Sequence, residues 1–136
     1  MTDQGVSRTL RVSDIMGAQV HSVDGLATVA EAMAIMKRLQ ISSLVVNRRH
    51  DNDELGLITV SDLAREVIAR DRAPERVNVY EIMAKPALAV RSGMLARYAV
   101  RLLVQFRVSR ALVVDDDDAP RGLVTLRDLV MGLAPE

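Results

Sequence analysis

The stretch Gly56-Leu57-Ile58-Thr59-Val60-Ser61-Asp62-Leu63 returns as Gly122-Leu123-Val124-Thr125-Leu126-Arg127-Asp128-Leu129, 66 positions further along the chain. Each copy places a glycine and a short apolar run ahead of Thr-x-x-Asp. The apolar run is typical of a buried strand, and a threonine followed three residues later by an acidic residue is typical of a helix start. The chain of 136 residues therefore contains the same predicted strand-to-helix turn twice.

The repetition extends outward from this turn. Val12-Ser13-Asp14-Ile15-Met16 returns as Val79-Tyr80-Glu81-Ile82-Met83, at an offset of 67 that drops to 66 after a deletion in a polar loop. A polar stretch with Pro74 separates the copies, and proline disfavours helix at the residue before it. The predicted organisation is an N-terminal arm at 1–11, a first repeat at 12–70, a linker at 71–78 and a second repeat at 79–136.

Each copy has the same order of predicted elements, β-α-β-β-α. In both copies a helical apolar period precedes two short apolar runs that are joined by a polar loop, and a last helix follows. A unit of about 60 residues buries too little surface to be more than marginally stable alone. We therefore expect an α/β (α+β) fold in which two repeats pack sheet to sheet with pseudo-two-fold symmetry and leave two equivalent clefts.

Composition narrows the classes of function. Hydrophobic residues make up 49% of the chain and aromatic residues 2%, so the core must consist of aliphatic side chains. Eighteen basic and 18 acidic residues give no net charge, and this balance disfavours nucleic acid as the partner. Cysteine is absent, and no apolar run approaches the ~18 residues of a membrane helix. We expect a soluble cytoplasmic protein without membrane insertion.

The Thr-x-x-Asp turns could carry chemistry. A helix start presents unpaired backbone amides that attract phosphate, and the threonine hydroxyl can donate to the same anion. An aspartate one turn into the helix can accept two hydrogen bonds from a vicinal diol such as that of ribose. The alternative is that each pair only caps its helix. Two copies in register, each behind a glycine and a strand, favour a nucleotide.

Taken together, these features resemble a known family. The repeat, the two Gly-x-x-Thr-x-x-Asp endings, the Asp-Ile-Met and Glu-Ile-Met openings and the segment Val108-Ser109-Arg110-Ala111-Leu112-Val113-Val114-Asp115 are similar to paired CBS (cystathionine-β-synthase) motifs. The resemblance implies a stand-alone Bateman module, which is regulatory and not an enzyme. Such modules bind AMP, ADP, ATP (with or without Mg²⁺) or a related adenosyl ligand, require no cofactor, often form homodimers, and serve energy sensing by signalling to a regulated protein.

The resemblance also implies site residues, in two clefts that draw on both repeats. Cleft 1 comprises Met16, His21, Ile41, Ser42, Ser109, Arg110, Thr125 and Asp128. Cleft 2 comprises Thr59, Asp62, Met83, Leu88, Val108, Ser109, Ser42 and Ser43. Arg110 corresponds to Ser43, and a guanidinium makes charge-assisted phosphate contacts that a serine cannot make. We therefore expect cleft 1 to bind di- or triphosphates more tightly.

Other signals point away from catalysis and metals. Asp115-Asp116-Asp117-Asp118 fails as a calcium loop because Pro120 and Leu126 stand where glycine and glutamate are required. His21 and His50 are the only histidines and lie 29 positions apart, without a histidine partner at ligand spacing. No serine has a base nearby in the pattern. We predict no catalytic residue and no metal site. A ligand-independent dimerisation or protein-interaction module remains the alternative function.

Overall fold

A computed structural model describes residues 9–135, which form two compact units. We call residues 21–87 the Thr59 unit, and residues 9–20 together with 88–135 the Thr125 unit. Most of the predicted N-terminal arm at 1–11 lies outside the described residues. No helix in the described part of the chain is long and apolar enough to cross a bilayer.

The Thr59 unit contains a three-stranded sheet. Its elements are β1 (Ser22–Val23), α1 (Val29–Leu39), β2 (Ser43–Val46), β3 (Gly56–Thr59) and α2 (Val60–Leu63). β1 runs parallel to β2, and β2 pairs antiparallel with β3. A π-helical turn, Ala64–Ile68, continues α2, and single 3₁₀ turns follow at Pro74–Arg76 and Val79–Glu81. The result is a sheet with the order β1-β2-β3, and α2 follows the last strand directly in sequence.

The Thr125 unit repeats this topology. A 3₁₀ turn at Val12–Asp14 precedes β4 (Ala89–Arg91), α3 (Ala96–Phe106), β5 (Arg110–Val114), β6 (Pro120–Thr125) and α4 (Leu126–Leu133). β4 is parallel to β5, and β5 is antiparallel to β6. Both units bury aliphatic side chains, such as Leu44 and Ile58 in one and Leu103 and Leu129 in the other. The predicted α/β class with two repeats is confirmed.

The compact units do not have the boundaries of the sequence repeats. The opening segment of the second repeat belongs to the Thr59 unit, where Leu57 and Ala84 exchange two backbone hydrogen bonds of 2.9 Å. The opening segment of the first repeat belongs to the Thr125 unit, where Gly17 and Leu123 form the equivalent pair at 3.0 and 3.1 Å. Each opening segment therefore lies along the last strand of the other repeat's sheet.

This exchange explains the glycine of the repeated stretch. A Cβ atom at Gly122 would overlap the carbonyl oxygen of Gly17. A Cβ atom at Gly56 would lie 2.8 Å from Met83 Sδ and 3.3 Å from Ala84 O. Only a residue without a side chain lets the opening segment approach the strand so closely.

Candidate functional site

The two strand-to-helix turns lie at matching ends of the two sheets. In the Thr59 unit the antiparallel register places Ser43 opposite Thr59. In the Thr125 unit the same register places Arg110 opposite Thr125. The hairpin geometry thus brings together residues that are 15 or more positions apart in sequence, as the site prediction required within each unit.

Backbone amides at both helix starts already have acceptors. The Val60 amide donates to Ser42 O at 3.0 Å, and the Leu126 amide donates to Ser109 O at 2.7 Å. The third helical amide of each turn donates to the threonine hydroxyl oxygen. At each turn, two of the amides that were expected to face phosphate therefore donate to acceptors within the protein.

In the Thr59 unit, Asp62 is tied into the helix cap. Its Oδ2 atom accepts hydrogen bonds from the Thr59 amide at 2.9 Å and from the Thr59 hydroxyl at 3.0 Å. Its Oδ1 atom accepts a hydrogen bond from Arg65 Nη2 at 2.8 Å, which is also an ion pair. The Asp62 side chain is 15% exposed. Both carboxylate oxygens are thus engaged by the chain.

In the Thr125 unit, Asp128 is arranged differently. Its backbone amide donates to Thr125 Oγ1 at 3.0 Å, but its carboxylate does not take part in a capping box. The Asp128 side chain is 52% exposed, and Arg127 approaches it only to 3.8 Å. Met131 stands at the position that Arg65 occupies in the other copy. The Asp128 carboxylate therefore faces solvent with most of its acceptor capacity available.

The other predicted site residues divide between the two units. Those in the Thr125 unit are Met16, Leu88, Val108, Ser109 and Arg110, and those in the Thr59 unit are His21, Ile41, Ser42, Ser43 and Met83. Met16 and Leu88 pack against one core, and Ile41 and Met83 against the other. Ser43 is buried at the end of β2. The clefts that join residues of both units stay a prediction.

The sequence reasoning missed the difference between Arg65 and Met131. The signal was present, because Arg65 follows Asp62 by three residues on a helix, a spacing at which opposite charges meet. Among the described residues, no group of three or more His, Cys, Asp or Glu side chains comes together at a metal-binding distance. Asp115 Oδ1 instead accepts hydrogen bonds from the amides of Asp117 and Ala119, inside the hairpin loop between β5 and β6.

Comparison with known families matches the CBS domain model twice, at residues 12–69 and 79–134. The chain belongs to the CBS domain family. Among solved structures, this CBS chain is similar to the hexameric CBS-CP12 protein from bloom-forming cyanobacteria. The two share 33% identity and a TM-score of 0.87 over 93% of this chain and 68% of that one. CBS modules are regulatory. The predicted resemblance of this chain to paired CBS motifs is confirmed.

Two further relatives place the CBS chain in context. The CBS domain of a bacterial CNNM/CorC family Mg²⁺ transporter, solved in complex with ATP, is 25% identical with a TM-score of 0.73, over 91% of this chain and 87% of that one. An uncharacterized protein of Methanopyrus kandleri is 28% identical over 90% of this chain and 62% of its own length. The chain spans between 24% and 62% of the length of five curated relatives that it matches.

Proposed function

We propose that this CBS chain is a non-catalytic regulatory module that binds an adenine nucleotide at the Thr125 turn. The observation that carries the proposal is the state of the Asp128 carboxylate, which is half exposed and outside the helix cap. Such a carboxylate can accept two hydrogen bonds from a ribose diol without losing any bond that holds α4 in place. The ATP complex of a related CBS domain supports an adenosyl ligand.

Arg110 supplies the second element of the proposed site. Arg110 lies directly opposite Thr125 in the β5–β6 register, so both residues are at the same end of the sheet. A guanidinium and a hydroxyl together provide charge-assisted donors for a phosphate. The equivalent position in the other unit is the buried Ser43, which brings no charge. We therefore expect AMP, ADP or ATP to prefer the Thr125 turn.

The Thr59 turn is the weaker candidate for nucleotide binding. A ribose diol that reached Asp62 would have to displace Arg65 from Oδ1 or the Thr59 donors from Oδ2. Either displacement removes a hydrogen bond to a charged group. The pair with the 63% exposed Arg65 is worth about 0.2–1 kcal/mol, and a bond from Thr59 about 1.5–3 kcal/mol. We propose that the chain binds one nucleotide before it binds a second.

Regulation follows from linkage between binding and conformation. A ligand at 100 times its Kd stabilises the state that binds it by about 2.7 kcal/mol, which is enough to switch a partner protein. The partner is a separate or attached protein that binds this state of the module. We propose a homodimer that requires no cofactor. We place it in the cytoplasm, where the concentrations of adenine nucleotides report on energy supply.

One observation favours a second candidate function, a ligand-independent interaction module. An apolar groove of about 230 Å³ opens between α1 and the helical segment after β3, and Met33, Met36 and Ile68 contribute to its wall. Ile68 is 53% exposed. A groove of this kind suits an apolar partner surface.

Isothermal titration calorimetry with AMP, ADP and ATP tests the first candidate against the second. We expect binding close to one nucleotide per chain, with a loss of at least tenfold in affinity for Asp128→Asn and little change for Asp62→Asn. Asparagine keeps the shape of the side chain, so the Asp128 variant should unfold at the wild-type urea concentration. Absence of heat with all three nucleotides, or a greater loss in Asp62→Asn, would contradict the proposal.

A further inference from the structure

A pocket of about 360 Å³ opens in the Thr59 unit, at the end of the sheet remote from Thr59. Its wall comes from the turn after β1, the loop after β2 and the exchanged opening segment. The Tyr80 backbone amide joins this segment to the turn by donating a hydrogen bond to Gly25 O at 3.0 Å. Val46, at the far end of β2 from Ser43, lies in its floor. Three steps along a strand cover about 10 Å, so the pocket is separate from the Thr59 turn.

The apolar part of the pocket is unusually open to solvent. Leu26, at 65%, is the most exposed large hydrophobic residue in the described chain, and Tyr80 is 48% exposed. Both line the pocket, together with the half-buried Met83. A pocket of a few hundred Å³ with apolar walls and a few polar groups is the usual form of a small-molecule site.

Three charged side chains also line the pocket, and one of them is neutralised. The Lys85 ammonium lies 2.7 and 2.8 Å from the two carboxylate oxygens of Asp53. Asp24 Oδ1 accepts a hydrogen bond from the Leu26 amide at 2.9 Å. This hydrogen bond fixes the turn but does not neutralise the charge of the Asp24 carboxylate. Within residues 9–135, neither Asp24 nor Arg49 forms an ion pair. One anionic and one cationic group in the described part of the chain therefore line the pocket without an oppositely charged partner.

The other unit shows what happens when these charges satisfy each other. At the position of Asp24 the second repeat has Arg91, and its loop after β5 is acidic where the first repeat has Arg49. Arg91 donates to Asp115 O at 2.8 Å and forms an ion pair with Asp118 at 3.5 Å. The charged residue after the first strand is thus paired within the Thr125 unit, whereas its counterpart Asp24 forms no ion pair among the described residues of the Thr59 unit.

We propose that this pocket binds a small zwitterion with an apolar body, the chemistry of an α-amino acid with an aliphatic or aromatic side chain. Arg49 pairs with the ligand's carboxylate, the free Oδ2 atom of Asp24 accepts its ammonium group, and Leu26, Tyr80 and Met83 cover its apolar part. The two unpaired charges and the exposed apolar side chains then each contact the ligand, and the site is independent of nucleotide binding at the Thr125 turn.

The first experiment compares L-leucine with two molecules that each lack one of its charges. 4-Methylpentanoate lacks the ammonium group, and 3-methylbutylamine lacks the carboxylate. Amide chemical shifts of the full chain, followed by NMR during titration, should move for leucine around Gly25, Asn47 and Met83. Affinities for the two single-charge analogues should be at least tenfold weaker. No shift with leucine up to 20 mM, a value set by about 2.3 kcal/mol of binding, or equal affinity for an analogue overturns the proposal.

Variants assign the two charges. Asp24→Asn keeps an oxygen to accept the Leu26 amide, and Arg49→Gln keeps a polar side chain at the rim, so both should retain the wild-type spectrum away from the pocket. We expect each to weaken leucine binding at least tenfold. Asp24→Asn should leave binding of 4-methylpentanoate unchanged, and Arg49→Gln should leave that of 3-methylbutylamine unchanged. Arg48→Gln is the matched control because Arg48 binds Asp53 O and does not line the pocket. An equal loss in Arg48→Gln overturns the assignment to Arg49.

Discussion

The Thr59 and Thr125 units carry the same repeated stretch on the same topology, yet their aspartates are in different states. Asp62 is held by three donors, one of them Arg65, whereas Asp128 faces solvent. One of the three donors depends on a residue one helical turn further on, arginine in one copy and methionine in the other. The other two come from Thr59, whereas Thr125 only accepts a hydrogen bond from the Asp128 amide. The repeated motif therefore specifies where a carboxylate stands, but its contacts decide whether the carboxylate is available.

The helices behind the two turns differ as well. α4 is a regular helix of 8 residues, whereas α2 gives way to the π-helical turn Ala64–Ile68 immediately after its first turn. π turns inside helices are frequently found at functional sites. Here the turn contains Arg65, the residue that engages Asp62.

The largest contrast between the units should be in the stability that each loses when alanine replaces the glycine of its repeated stretch. Gly122→Ala places a methyl group against the Gly17 backbone, which cannot yield without breaking the Gly17–Leu123 pair, and we expect a loss of about 3 kcal/mol. Gly56→Ala meets the flexible end of Met83 first and should cost about 1–2 kcal/mol. Urea unfolding measures both. A greater cost at Gly56 would show that the exchanged segments are not held as described.

The second largest contrast should be in the stability that the threonine helix caps contribute. Thr59→Ala removes the hydroxyl that both accepts from the Asp62 amide and donates to the Asp62 carboxylate, so we expect a loss of about 2 kcal/mol. Thr125→Ala removes a single accepted bond and should cost about 1 kcal/mol. The same unfolding assay tests the order. Equal losses would indicate that the Asp62 network adds nothing to an ordinary cap.

A reciprocal exchange tests whether the helix residue controls the aspartate. Met131→Arg should place a guanidinium three residues after Asp128 and lower nucleotide affinity about twofold, because an ion pair at this spacing on a helix is worth about 0.2–0.5 kcal/mol. Arg65→Met should free Asp62 Oδ1 and raise the number of bound nucleotides toward two. Calorimetry reads both results.

Two outcomes of this exchange distinguish its failure from that of the proposed function. If wild-type protein binds one nucleotide but neither variant changes affinity or number, the arginine is irrelevant and the function stands. If wild-type protein binds none, nucleotide binding itself is contradicted. Arg70→Met is the control, because Arg70 pairs with Glu66 and not with Asp62.

Much of the fold was predictable because the repeat carries it. The strand-to-helix turns, the hairpins and the aliphatic core follow from local apolar patterns, and the structure has them within a few residues. The exchange of opening segments was not predictable, since periodicity shows which residues are buried but not against which copy. Gly56 and Gly122 hold the evidence for it, yet a glycine alone does not say what approaches it.

The hairpin positions of the candidate residues were predictable from the sequence, and the hydrogen bonding of their side chains was less so. The pairing of Arg110 with Thr125 follows from a hairpin register that apolar runs indicate well. The engagement of Asp62 depends on side-chain rotamers and on a π turn, neither of which the sequence pattern specifies. The pocket beside Tyr80 was missed for a related reason, because the exchange adds Tyr80, Met83 and Lys85 to a wall that the first repeat alone leaves open.

The smallest expected effect concerns pH and the hairpin loop of the Thr59 unit. The side-chain hydrogen bond from Lys85 and the backbone hydrogen bond from the Arg49 amide hold the pKa of Asp53 well below its usual range. A lowered pKa in the folded state means that the stabilisation is complete above the unfolded value of about 3.9 and is lost as pH falls toward the folded value. Between pH 5 and pH 3, Asp53→Asn should therefore reduce the acid dependence of the urea midpoint, and Lys85→Gln should reduce it as well because it removes the main partner of Asp53. An unchanged acid dependence in both variants would show that the Lys85–Asp53 contact does not stabilise this loop.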